Sequence, residues 1–252
     1  CRGCRFEKCI SVGMIWDGPM RIRRKKTIPI LKRIKIEWKA LLSRRREQEL
    51  IIIKQHGGHN KISHPTEEIY YVHKETYSEI YRIFIEESYV FFKNVYPAFS
   101  KLPDKEQELI FKDYIVKMGF VEGQKRSVQL WGATKKHQMY SVVTCIDTDR
   151  LHFLDNENME NINFVKSYTQ TYGKELNTIY QPIFNKCAFT ETEYYALMAL
   201  TMYEIDIPVG DLSEEAEEIL ENYQKEALED LQLHYQKDLG LIDFSTRLGN
   251  LM

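Results

Sequence analysis

"YPAFSKLPDKEQELIFK" (residues 96–112) lies between two apolar helical patterns, and its reading decides the fold. Pro97 stops the pattern before it. Pro103 starts the next one, with Asp104 and Glu106 in the first turn, because proline suits the first helical position and acids suit the positive end of the helix dipole. Phe99, Leu102, Ile110 and Phe111 fall where such a junction needs core residues.

Upstream, "ETYSEIYRIFIEESYVFFKNVY" (75–96) places Tyr77, Ile80, Tyr81, Phe84, Ile85, Phe91, Phe92 and Val95 at helical spacing, which predicts a long amphipathic helix. Downstream, "HQMYSVVTCIDTDRLHFL" (137–154) is β-branched and aromatic, interrupted by Asp-Thr-Asp, and reads as a small hairpin. Helical patterns follow over about 160–186 and 189–205. The stretch "DLSEEAEEILENYQKEALEDLQLHYQKDLG" (211–240) predicts a further helix, with Asp211 or Ser213 as N-cap and Gly240 as stop. Its inward stripe is Ala216, Leu220, Tyr223, Ala227 and Leu231. The expected fold class is all-α with one short hairpin.

Composition agrees with a folded body. Of 252 residues, 43% are hydrophobic and 29% charged, too apolar for wholesale disorder, and 16 Tyr with 12 Phe supply a core. The longest apolar stretch, "YYALMALTMY" (194–203), falls short of the roughly 20 residues that span a bilayer, so no membrane partner is expected. No secretory pattern opens the chain. Five cysteines, three of them within nine residues, do not read as a disulfide framework, and a reducing compartment fits. The net charge of −2 hides an asymmetry: residues 1–60 hold 16 basic against 5 acidic residues, and the rest 19 against 32. A basic arm of this kind suits a polyanion and the acidic body does not.

The arm begins "CRGCRFEKCISVGM" (1–14). A C-x-x-C supplies two of the four ligands that tetrahedral zinc takes. A redox pair of the same spacing sits between strand and helix in a βαβ unit, and nothing in the flanking sequence supplies one. Residues 15–65 read as a basic linker, broken by Pro19 and Pro29 and ending in the loose "KQHGGHNKISHP" (54–65). Within it "ILKRIKIEWKALLSRRREQELIII" (30–53) can form a helix, although its apolar pattern is not cleanly one-sided.

With its third cysteine, the string C-x-x-C-R-x-x-K-C-x-x-x-G-M closely resembles the end of the DNA-binding domain of nuclear hormone receptors. The resemblance implies that Cys1 and Cys4 are zinc ligands and Cys9 a buried core cysteine. Arg2, Arg5 and Lys8 would lie near the phosphate backbone. The basic "RIRRKK" (21–26), with Arg21, Arg23 and Arg24, stands where the family carries a basic extension that touches DNA. Phosphate contacts position a protein on DNA, whereas base contacts specify the site. The first zinc module, the recognition helix and the other two ligands of this zinc site are expected before residue 1.

The junction at 96–112 resembles the signature of the family's ligand-binding domain, F-x-x-L-x-x-x-D-Q-x-x-L-L. Phe99, Leu102, Glu106, Gln107, Ile110 and Phe111 fall in register, with Glu for Asp and Ile-Phe for Leu-Leu. The Glu106–Gln107 pair is thereby expected to tie helices together through partly buried hydrogen bonds. "DFSTRLGNLM" (243–252) resembles the start of the family's long penultimate helix, especially in its divergent, nematode-expanded branch. The family continues from there into an activation helix, so the chain is expected to be truncated at both ends. The coactivator-groove lysine of the family aligns with Asn94, beside Lys93.

The resemblance therefore implies a remnant of a zinc DNA-binding domain (1–14), a basic hinge (15–65) and a layered helical ligand-binding domain (66–252). It implies a nuclear, non-enzymatic, DNA-binding transcription factor of RNA polymerase II genes. The implied partners are a small lipophilic ligand, coregulators and a homo- or heterodimer partner. The alternative is a ligand-binding or dimerisation module without specific DNA binding, because the zinc site is incomplete. A helical enzyme is the third class, but no G-x-S-x-G, H-E-x-x-H or phosphate-binding glycine loop appears. His56, His59 and His64 read as solvated loop residues. Cys145 and Cys187 read as small core residues. Glu86-Glu87 and Glu214-Glu215 read as exposed helix faces.

Overall fold

The computed structural model describes residues 28–58, 61–132, 137–147, 149, 167, 170, 171, 175, 178, 184, 186–202, 207 and 210–251. The readings placed on Cys1, Cys4, Cys9, Arg2, Arg5, Lys8, Arg21, Arg23, Arg24 and His59 lie outside them, as does most of the helix expected over 160–186.

Residues 30–55 correct the expectation of a linker over 15–65. They form helix α1 (Ile30–Gln55), and Ile30, Leu31, Ile34, Trp38 and Leu41 enter the main core. The buried stripe continues through Arg45 and Glu49 to Ile52 and Ile53. Two charged residues at core positions, inside a basic segment, break the apolar period that a sequence reading relies on. The helix start is pinned from outside, because Pro29 offers no side-chain cap and the Leu31 amide donates to Asp230 Oδ2 at 3.2 Å.

Strands β1 (Lys61–Ile62) and β2 (Ile69–Tyr71) follow as an antiparallel pair. Helix α2 (Lys74–Val95) is opened by His73, whose ring accepts the Glu75 amide. Ile80, Ile83, Phe91, Phe92 and Val95 are buried as its inner face. The predicted stripe was wider than the surface that covers it, since Tyr77, Tyr81 and Ile85 on its edge are exposed. A 3-10 turn (Pro97–Lys101) leads to helix α3 (Asp104–Trp131), which starts after Pro103 as expected. There Phe99 lies parallel to Phe92 at 5.2 Å and packs against Tyr223 at 5.5 Å. Burying each such ring contributes roughly 1.5–3 kcal/mol.

The expected hairpin is present as β3 (His137–Met139) and β4 (Thr144–Asp147). Its turn is at 140–143, not at Asp-Thr-Asp, because Ser141 closes it locally: the Ser141 hydroxyl accepts the Thr144 amide at 3.0 Å and bonds Thr144 Oγ1 at 2.7 Å. β4 also pairs in parallel with β2, giving a four-stranded sheet of order β1-β2-β4-β3. β1 and β2, of two and three residues, are too short for a sequence pattern to reveal.

Helix α4 (Glu191–Leu200) begins with a capping box between Thr190 and Glu193. Helix α5 (Glu214–Leu233) begins at Ser213, whose hydroxyl accepts the Ala216 amide. All five residues of its predicted stripe are buried. A π turn (His234–Asp238) ends it, and Gly240 takes φ 63° just beyond. Helix α6 (Ser245–Leu251) closes the described chain, and the Arg247 guanidinium forms two hydrogen bonds to the buried Glu193 carboxylate. The first and last described helices thus share one core, with the small sheet at its flank.

Candidate functional site

A cavity of about 240 Å³ lies where α2, α3 and the β3–β4 turn meet. Ile80, Tyr81 and Phe84 come from successive turns of α2, and Ile115 and Val116 from α3. Gly119 keeps the space between them, since a Cβ there would stand 2.9 Å from Phe84 Cζ. One turn on, Gly123 lets the sheet approach, as its Cβ would stand 3.2 Å from the Met139 carbonyl. Ser127 fixes that approach, accepting the Met139 amide at 2.8 Å and donating to the Gly123 carbonyl at 2.6 Å.

Tyr140 and Ser141 of the turn form the third wall. Tyr140 stacks on Tyr77 of α2 at 4.9 Å, and Arg126 Nη2 of α3 donates to the Val142 carbonyl at 2.8 Å. The turn is thereby held against both helices.

The floor is Glu122, 4% exposed. Behind it Arg45 Nη1 reaches both Glu122 oxygens, at 2.9 and 2.7 Å, and Arg45 Nε reaches Glu49 Oε1 at 3.2 Å. The Val143 amide donates to the second Glu49 oxygen at 3.2 Å. The Arg45 guanidinium also lies 4.8 Å from the Phe84 ring centre. Burial works against the Arg45 charge, but the two carboxylates outweigh it and hold its pKa up. Burial pushes the Glu49 carboxyl up, with Arg45 opposing. The wall is therefore largely apolar with one acidic end. Such an arrangement suits a molecule held by shape and one polar contact.

The ligand-binding-domain signature is a strut at the other end of α3. Glu106 Oε2 accepts the Ser213 hydroxyl at 2.9 Å, joining the start of α3 to the start of α5. Gln107 Nε2 donates to the Leu102 carbonyl at 2.7 Å. Phe99, Leu102, Ile110 and Phe111 are buried. Lys93 and Asn94 diverge: Lys93 Nζ sits 4.4 Å over the Tyr89 ring, while Asn94 Nδ2 donates to Glu37 of α1 at 2.8 Å.

Two minor readings change. His64 is not a solvated loop residue, because its ring bonds the Leu130 carbonyl at 3.2 Å and accepts the Glu67 amide at 3.2 Å. Glu87 is not simply exposed, because it takes Arg44 Nε at 2.6 Å and Gln48 Nε2 at 2.7 Å. Cys145 is buried in β4, and burial pushes its thiol up. Among the described residues no cluster of three His, Cys, Asp or Glu side chains is placed to hold a metal ion. No described helix is long and apolar enough to cross a membrane.

Sequence reasoning missed Arg45, Glu49, Glu122, Gly119 and Gly123. The available signals were an Arg and a Glu spaced i, i+4 on the core stripe of α1, and glycines at i, i+4 within α3.

Comparison with known proteins identifies the family. The family described as the ligand-binding domain of nuclear hormone receptor matches residues 62–252. The Caenorhabditis elegans protein "Nuclear hormone receptor family member nhr-53" is 22% identical over 265 residues, spanning 100% of this chain and 69% of that protein. Among solved structures, the Ultraspiracle ligand-binding domain from Drosophila melanogaster is similar with a TM-score of 0.48 and 13% identity, covering 83% of this chain and 84% of that one. The chain belongs to the nuclear hormone receptor family, and residues 62–252 are its ligand-binding domain.

Proposed function

We propose that the chain is part of a nuclear, ligand-responsive DNA-binding transcription factor of RNA polymerase II genes, and that the α2/α3 cavity holds its small lipophilic ligand. The observation that carries the reading is the family match over 62–252, most of the chain and the part that contains the cavity. The DNA-binding part rests on the Cys1–Cys4 string and on the basic excess of residues 1–60. Dimer partners and coregulators belong to the same proposal.

Zinc is the cofactor that the family resemblance implies. The donor set of the N-terminal string is the two thiolates of Cys1 and Cys4, and a structural zinc site takes four ligands. Two thiolates do not fit such a site by themselves, so no step of the function is derived through the metal. The second reading is a ligand-binding or dimerisation module without specific DNA binding.

Two assays test these readings. Tethered through a heterologous DNA-binding module to a polymerase II reporter, the chain is expected to change output several-fold relative to the module alone. Output equal to that of the module removes the regulatory reading. A duplex-DNA titration across salt separates the two alternatives. A specific binder keeps its preference over scrambled competitor, whereas a basic arm alone binds weakly, without preference and with a steep salt slope.

A further inference from the structure

We infer that the α2/α3 cavity selects a small amphiphile by its head group, accepting a protonated amine at Glu122 and discriminating against a carboxylate. The inference rests on the reading of this cavity as a ligand site and adds the chemical class of its occupant.

The apolar body of such a molecule has its place along Ile80, Phe84 and Ile115. The volume, about 240 Å³, lies just below the range of about 300–1,000 Å³ typical of small-molecule sites, which limits the occupant to a short chain or single ring. Glu122 is the one charged residue of the wall.

Two cations stand near Glu122, and neither lines the wall. Arg45 divides its guanidinium between the two oxygens of Glu122 and Oε1 of Glu49. Arg126, one turn beyond Glu122 on α3, gives its Nη2 to the Val142 carbonyl. One guanidinium serves two carboxylates, and Glu122, not a cation, is the charge that the cavity meets. Each Glu122 oxygen spends one lone-pair direction on Arg45 Nη1 and keeps another for a donor. An ammonium head supplies both the donor and a charge opposite to that of the wall. An alcohol supplies the donor alone. A carboxylate meets a like charge in a site of low polarity, where that repulsion is poorly screened.

The test is a titration of the full chain at pH 7.4 with n-hexylamine, n-hexanol and n-hexanoate, followed by NMR of isotope-labelled isoleucine methyls. Binding is located by shifts at Ile80 and Ile115. The amine is expected to bind tightest and hexanoate at least about tenfold more weakly, a gap of 1.4 kcal/mol. Glu122→Gln is expected to bring the three within about threefold of one another. The order in the wild-type chain decides the matter should that variant fail to fold. Hexanoate binding as tightly as the amine overturns the head-group inference and leaves the cavity reading intact. No shift at Ile80 and Ile115 with any of the three overturns the cavity reading, and the inference with it.

Discussion

Arg45 of α1 and Glu122 of α3 form a buried ion pair, with Arg45 Nη1 2.9 and 2.7 Å from the two carboxylate oxygens. Side-chain exposure is 1% and 6%, and Glu49, at 0%, shares the same guanidinium. Removing one partner of such a group strands the others without water, which is costlier than the net value of the pair. Arg45→Ala is expected to lower stability by about 3–5 kcal/mol. The triple change Arg45→Met, Glu49→Leu, Glu122→Leu is expected to recover most of that loss. Urea unfolding checks both, and a loss below about 1 kcal/mol for Arg45→Ala would contradict the pairing.

The Glu106–Ser213 contact makes the family signature an energetic link between α3 and α5. Ser213→Ala removes both the N-cap of α5 and the partner of Glu106, and is expected to cost about 1–2 kcal/mol. Glu106→Ala removes only the contact and is expected to cost less. A double-mutant cycle is expected to give a coupling of about 0.5 kcal/mol or more. Strict additivity would show that the two residues act independently.

Lys125 Nζ lies 3.3 Å from the centre of the Tyr194 ring and 5.9 Å from that of Tyr195. Burial brings its pKa down from 10.5 to about 8, with Glu191 opposing. Between those values the unfolded chain binds more protons than the folded one, so this residue makes stability rise as pH rises from about 8 toward 10.5. Lys125→Met escapes the penalty on the buried charge. Its urea midpoint is expected to exceed that of the parent at pH 7 and the gap to close by pH 10. A gap independent of pH would mean that the lysine is not penalised by burial.

Gln124 is fully buried, and neither its Nε2 nor its Oε1 finds a partner among the described residues. An unsatisfied amide costs its desolvation, about 1–3 kcal/mol. Gln124→Leu, similar in volume, is expected to raise stability by about 1 kcal/mol or more in thermal or urea unfolding. A loss of stability would reveal a partner for the amide.

Legibility followed the kind of residue that each element buries. α5 was readable because its stripe of Ala216, Leu220, Tyr223, Ala227 and Leu231 is purely apolar and its cap at Ser213 is a strong local signal. α1 was readable as a possible helix but not as a core element, because Arg45 and Glu49 occupy core positions and find their compensation on α3 and in the β3–β4 turn, beyond the reach of any local pattern. The breadth of α2 was misjudged for the complementary reason. Tyr77, Tyr81 and Ile85 have the right spacing, but the packing of neighbouring elements decides which edge of a stripe is covered. The junction at 96–112 was legible as a fold signature, and of its polar pair Glu106 reaches α5 while Gln107 bonds locally to the Leu102 carbonyl. The cavity was not, since it is defined by what Gly119 and Gly123 lack.

The central claim, that the space between α2, α3 and the β3–β4 turn is a ligand site, is tested most directly by hydrogen exchange of the chain with and without saturating n-hexanol. Peptides covering 77–85, 114–123 and 139–144 are predicted to slow together, with those of α5 unchanged. No slowing, or slowing confined to segments away from these three walls, would contradict the claim.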